Sequence, residues 1–102
     1  MKENQILVII KEPGKEPVVE PLFDNDLKAF QKAVGGYIET VTIATDLVII
    51  CNEECRLKGL PHNTIVFGVD FCGTIVVAGV KGEEFASLRA SVVPTVLRML
   101  GG

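Results

Sequence analysis

The sequence predicts a single α+β domain: a mainly antiparallel sheet of about five or six strands, one helix packed on a face and a short C-terminal helix. Three features lead there. Strand-length apolar runs recur, with ILVII at 6–10, LVIIC at 47–51 and IVVAGV at 75–80, each far short of the ~18 residues that span a bilayer. Proline, glycine and asparagine separate the runs with turn chemistry. Only one internal segment, 25–34, repeats apolar residues at helical spacing.

Taken in order, Gln5 to Ile10 is β-branched and apolar, and Val18 to Leu22 resumes an extended pattern. Pro13-Gly14 between them suits the centre of a type II turn, which predicts a hairpin. Pro17 and Pro21 have no N–H to donate, so the second strand belongs at an edge. Asp24 is the expected N-cap of a helix over Asn25 to Val34, with Leu27, Phe30 and Val34 inward, Lys28, Gln31 and Lys32 outward, and Gly35 as the left-handed cap. Tyr37 to Ile43 is the next strand, and Thr45-Asp46 reads as a turn. Leu47 to Cys51 is apolar on both pleat faces and reads as an interior strand.

Beyond it, Cys55-Arg56-Leu57 is expected to fold back beside residues 49–51. Residues 59–63 carry loop chemistry, Ile65 to Phe67 reads as a short strand, 68–73 has no clear periodicity, and Thr74 to Val80 is again a strand. Ser91 is the expected cap of a C-terminal helix whose first turn accommodates Pro94 and whose apolar side holds Val96, Leu97, Met99 and Leu100.

One domain accounts for all 102 residues. Hydrophobic residues make up 48% of the chain and the mean hydropathy is +0.39. Thirteen acidic against ten basic residues leave a net charge of −3 and a pI near 5.1. Without a lysine or arginine cluster, counterion release has little to act on, so no nucleic-acid partner is expected. No membrane span is expected either. The start MKENQ has none of the features of a secretion signal, which points to the cytoplasm. There, the three cysteines are expected to stay as thiols.

Residues 50–64, ICNEECRLKGLPHNT, concentrate the polar chemistry. Cys51, Cys55, His62 and Cys72 make a Cys₃His set, but Cys51 ends an apolar strand and fits a small buried hydrophobe better than a zinc knuckle. No metal or other cofactor is therefore expected. A reactive thiol needs a neighbouring cation, whereas Glu53 and Glu54 have the opposite sign, so no catalytic residue is assigned. What remains is a polar binding edge of Asn52, Glu53, Glu54, Asn63 and Thr64 at one end of the sheet, with Tyr37. Gly35-Gly36 follows a helix and cannot aim a helix N-terminus at a phosphate.

VGGYIETV (34–41), ICNEECRLKGLPHN (50–63), GTIVVAG (73–79) and EEFASL (83–88) together resemble the family catalogued as domain of unknown function 3846. The resemblance covers most of the chain and implies small proteins of bacteria, phages and mobile elements. Its typical order is an EPGK turn, a helix ending in VGGYIE, a CNEE hairpin, GLP-x-N, a GT strand and an EDF-SL ending. It implies no catalytic residue, and Cys55 stands where glycine is usual, so a four-ligand metal shell is not a family property.

These readings converge on a non-enzymatic binding module, a phage or mobile-element accessory that engages a host protein or a small ligand. VVPTVLRMLGG is the candidate face for a homo-oligomer, with packing on its own sheet as the alternative. The second functional class is a small divalent-metal-dependent hydrolase or nucleotide-processing enzyme built on Asn52, Glu53, Glu54 and Asn63.

Overall fold

Consecutive residues of a strand point to opposite sides, so an unbroken apolar run needs cover on both. The computed structural model describes residues 4–101; residues 1–3, part of the MKENQ start read above, and Gly102 lie outside them. In chain order the elements are β1 (Gln5–Lys11), β2 (Val18–Asp24), α1 (Leu27–Val34), β3 (Ile38–Ala44), β4 (Leu47–Asn52), β5 (His62–Val66), β6 (Val69–Cys72), β7 (Ile75–Lys81), β8 (Glu84–Ala86), a 3-10 turn (Ala90–Val92) and α2 (Val93–Met99).

Six strands form one antiparallel sheet in the order β2-β1-β7-β4-β3, with β8 added alongside β7, while β5 and β6 make a separate hairpin. This is the expected α+β architecture. The proline-bearing strand β2 is an edge, and β4 lies inside the sheet. Register aligns the two pleat faces across the central strands. Ile9 and Ile49 both stand opposite Val77, and Ile10 and Ile50 both stand opposite Val76.

Each face then has its own cover. On one side Val8, Val48, Ile50, Val76 and Ala78 pack under Phe30 and Val34 of α1. Phe30 sits between Phe23 and Phe85, with ring centroids 4.9 Å away in each direction. On the other side Ile9, Ile49, Ile75 and Val77 pack under Val66 and Phe71 of the hairpin and under Val96 and Leu100. The C-terminal segment thus packs its apolar side on its own sheet.

Three local expectations are corrected. The helix cap is Asp26, whose Oδ1 accepts from Ala29 N at 2.8 Å. Asp24 instead ends β2 opposite Gln5, whose Nε2 donates to its Oδ1 at 3.1 Å. Ser91 does not cap α2: it lies inside the 3-10 turn closed by Val92 N to Arg89 O at 2.9 Å, and that turn feeds the helix directly. Residues 55–57 form turns rather than a strand, with Lys58 N bonding Glu54 O at 2.9 Å and Leu60 N bonding Cys55 O at 2.9 Å.

The chain after β8 crosses close over β7. Leu88 N donates to Leu7 O at 2.9 Å and Leu7 N to Ser87 Oγ at 2.9 Å, so residues 87–88 fill the gap that β1 leaves beside β7. Gly79 permits this approach, because a Cβ there would come 2.6 Å from Ser87 O. The clash is with backbone and cannot relax by a rotamer change. Gly79→Ala is expected to cost about 2 kcal/mol of stability, read as a lower urea midpoint with unchanged slope.

Candidate functional site

At the end of β4 the pleat sends successive side chains to different layers. Asn52, 2% exposed, turns toward α1, where its Nδ2 donates to Val34 O at 3.1 Å. Its Oδ1 accepts from Glu54 N at 2.7 Å. One amide therefore ties the helix end to the turn that follows β4. Gly36 makes room for it, since a Cβ there would lie 2.9 Å from Asn52 Nδ2. Glu53 N bonds Tyr37 O at 2.9 Å, fastening the turn to the entry of β3. The Tyr37 ring is exposed.

Asn63 does the corresponding work on the opposite face. The β5–β6 register slips between His62 and Thr64, leaving Asn63 free to turn toward the sheet. Its Nδ2 donates to Lys11 O at 2.9 Å and to Gly73 O at 2.8 Å, and its Oδ1 accepts from Lys11 Nζ at 3.0 Å. Lys11 is 8% exposed, so Asn63 satisfies a buried ammonium as well as two carbonyls. Thr64, half-buried, stands next in β5 opposite Phe71.

The two asparagines thus share one end of the sheet but belong to different faces, and both amides are committed to the backbone. The carboxylates of Glu53 and Glu54 are held by neither amide. They line a cleft of about 250 Å³ between the hairpin and the β3–β4 side of the sheet. Val41, Cys51 and Phe71 supply its apolar floor, and Leu57 and Val69 its rim. Glu39 and Asp70 bring the lining carboxylates to four, against the single guanidinium of Arg56. Arg56 Nη2 donates to Asp70 O at 3.1 Å, and Lys58 approaches Glu54 at 3.7 Å from outside the cleft lining.

The expectation that all three cysteines are thiols is corrected. Cys55 and Cys72 are joined, with Cα atoms 5.8 Å apart. The β5–β6 hairpin brings Cys72 back over the turn that carries Cys55, a proximity that a separation of 17 residues conceals. Cys51 alone is free and buried, and behaves as the small hydrophobe expected. Burial, with the negative charge of Glu39 added, pushes its thiol up to about 11. Beside the bond, His62 Nδ1 lies 2.7 Å from Asp70 Oδ1.

The hairpin closes through Phe67-Gly68, both at positive φ (49° and 79°), as a two-residue type I′ loop requires. A left-handed aromatic residue is uncommon, and this one is 72% exposed. Of the residues the sequence singled out, Asn52, Glu53 and Glu54 reach the cleft; Asn63, Thr64 and Tyr37 do not line it. Glu39, Arg56 and Asp70 were missed. Glu39 was signalled by its parity with Val41 along β3; Asp70 depended on a hairpin whose second strand had no readable period. Among the described residues, no group of three or more His, Cys, Asp and Glu side chains is placed to hold a metal ion. No described helix is long and apolar enough to cross a membrane.

A model built for one protein family matches residues 4–101, nearly the whole chain. The chain belongs to the family described as Domain of unknown function (DUF3846). The family pattern now has physical content: in VGGYIE the second glycine clears Asn52, and in CNEE the asparagine receives Glu54 N. No curated protein and no solved structure matches the chain.

If Asn63 fastens the hairpin, Asn63→Ala removes the amide that donates to two carbonyls and leaves Lys11 Nζ its longer bond to Glu12 O at 3.3 Å. A loss of about 2–3 kcal/mol is expected in urea denaturation, while Glu53→Gln, on the open cleft wall, changes stability by less than about 0.5 kcal/mol.

Proposed function

We propose that the protein is a non-enzymatic binding module whose cleft takes a cationic, partly apolar segment of a partner protein. One observation carries this reading: four carboxylates, Glu39, Glu53, Glu54 and Asp70, surround an apolar floor and face one guanidinium. A lysine or arginine side chain suits such a site, because its alkyl stem packs on Val41 and Phe71 while its charged head meets the acids. The exposed rim extends the contact, with Leu57 at 87% and Val69 at 40% exposure, and exposed apolar side chains grouped beside charge suit a protein partner. On the family resemblance to small phage and mobile-element proteins, that partner is a host protein.

The metal-dependent enzyme is the weaker reading. It needs Asn63 beside Glu53 and Glu54, and the Asn63 amide is engaged with Lys11 and Gly73. Asn52 likewise has its oxygen bonded to Glu54 N.

Titrating labelled protein with a hexapeptide of alternating arginine and leucine tests the binding reading. Amide shifts are expected at residues 39, 53, 54, 57 and 69–71, and neutralising Glu39 and Glu53 together to glutamine weakens the affinity about fivefold, two exposed charge pairs' worth. Shifts elsewhere, or an affinity untouched by the double variant, would rule the cleft out as the site.

A further inference from the structure

The Cys55–Cys72 bond lies where two cavities meet. Both cysteines line the acidic cleft, and Cys72, Arg56 and Asp70 also line a second cavity of about 320 Å³ that His62 helps to form. Cys55 is partly exposed. His62 stands directly opposite Cys72 across β5 and β6, so the two side chains leave the same face of the hairpin. Asp70 lies two residues before Cys72 on that strand, shares its face and holds His62 Nδ1 at 2.7 Å. The bond is not the hairpin's sole attachment to the sheet. Asn63 bonds across to Lys11 and Gly73, and Val66 and Phe71 are buried in the core.

We propose that Cys55 and Cys72 form a thiol–disulfide exchange site for a small thiol of the glutathione type, with His62, oriented by Asp70, as the acid that serves the Cys72 sulfur. The thiolate of the small molecule attacks Cys55 Sγ, the more open sulfur; the Cys55–Cys72 bond breaks and a mixed disulfide forms at Cys55. Cys72 leaves with the electron pair and takes a proton from the imidazolium of His62. A second thiolate attacks the sulfur of the small molecule within the mixed disulfide, releasing the symmetrical small disulfide and the Cys55 thiolate. In sum, one protein disulfide and two small thiols give one protein dithiol and one small disulfide, and the reverse sequence closes the bond. The inference does not depend on what the acidic cleft binds.

The test follows reduction of the full oxidised chain by millimolar glutathione, with acid quenching and mass spectrometry. The bond is expected to open while the native circular dichroism persists, and Cys72→Ser is expected to hold glutathione at Cys55 after treatment with glutathione disulfide. His62→Gln, which keeps a donor toward Asp70, is expected to slow reduction about tenfold. If Cys72→Ser does not fold, the rate comparison with His62→Gln decides alone. A bond that resists glutathione until the chain is unfolded, three free thiols that glutathione disulfide leaves unpaired, or equal rates for wild type and His62→Gln at every pH would each overturn the proposal.

Discussion

Four consecutive residues, Ile75 to Ala78, are wholly withdrawn from water, and the rest of the molecule follows from that demand. A strand buried on both faces needs a partner strand on each edge and a layer on each side. β1 and β4 supply the edges, with matching alternation that places Ile9 and Ile49 level with Val77. Helix α1 covers one face, and the hairpin with α2 the other. Each cover is short. Eight residues in α1 and seven in α2 have little helical stability alone, so the sheet is what makes them helices.

The polar end of the sheet is a consequence of finishing this three-layer stack. Where β4 stops, the pleat still alternates: Cys51 goes to the hairpin side and Asn52 to the α1 side. Asn52 and Asn63 then seal opposite faces by serving backbone groups that the ends of strands and helices leave unpaired. The carboxylates, which cannot be buried cheaply, stay at the margin of the hairpin. That margin is the acidic cleft, and the disulfide and the His62–Asp70 pair stand at its boundary with the neighbouring cavity.

How far this was legible depended on whether the signal was local. The β1–β2 hairpin was readable because Pro13-Gly14 announces its own turn, and β4 because two-sided burial leaves an unbroken apolar run. The helix was readable, but its cap was assigned two residues early because Asp24 and Asp26 are the same residue type and only strand pairing separates their roles. β8, three residues long, is too short to show a period. The β5–β6 hairpin was half seen: Phe67-Gly68 lacks the asparagine or aspartate that usually marks a type I′ loop, which hid β6 and with it Asp70 and the partner of Cys55. At the site, Glu53 and Glu54, adjacent along the chain, line one cleft. Asn52 and Asn63 do share one end of the sheet, but their position along the chain does not say which face each one serves.

Native-state amide hydrogen exchange, followed residue by residue, tests the central claim most directly, because it ranks segments by the free energy needed to open them. Dependence of the whole fold on its doubly covered strand predicts that Val76, Val77 and Ala78, with Ile49 and Ile50 of β4, exchange only through global unfolding, while amides of the hairpin and α2 open earlier. If hairpin or α2 amides outlast those of β7, or β7 exchanges through a local opening of lower free energy, the sheet centre is not what holds the molecule together.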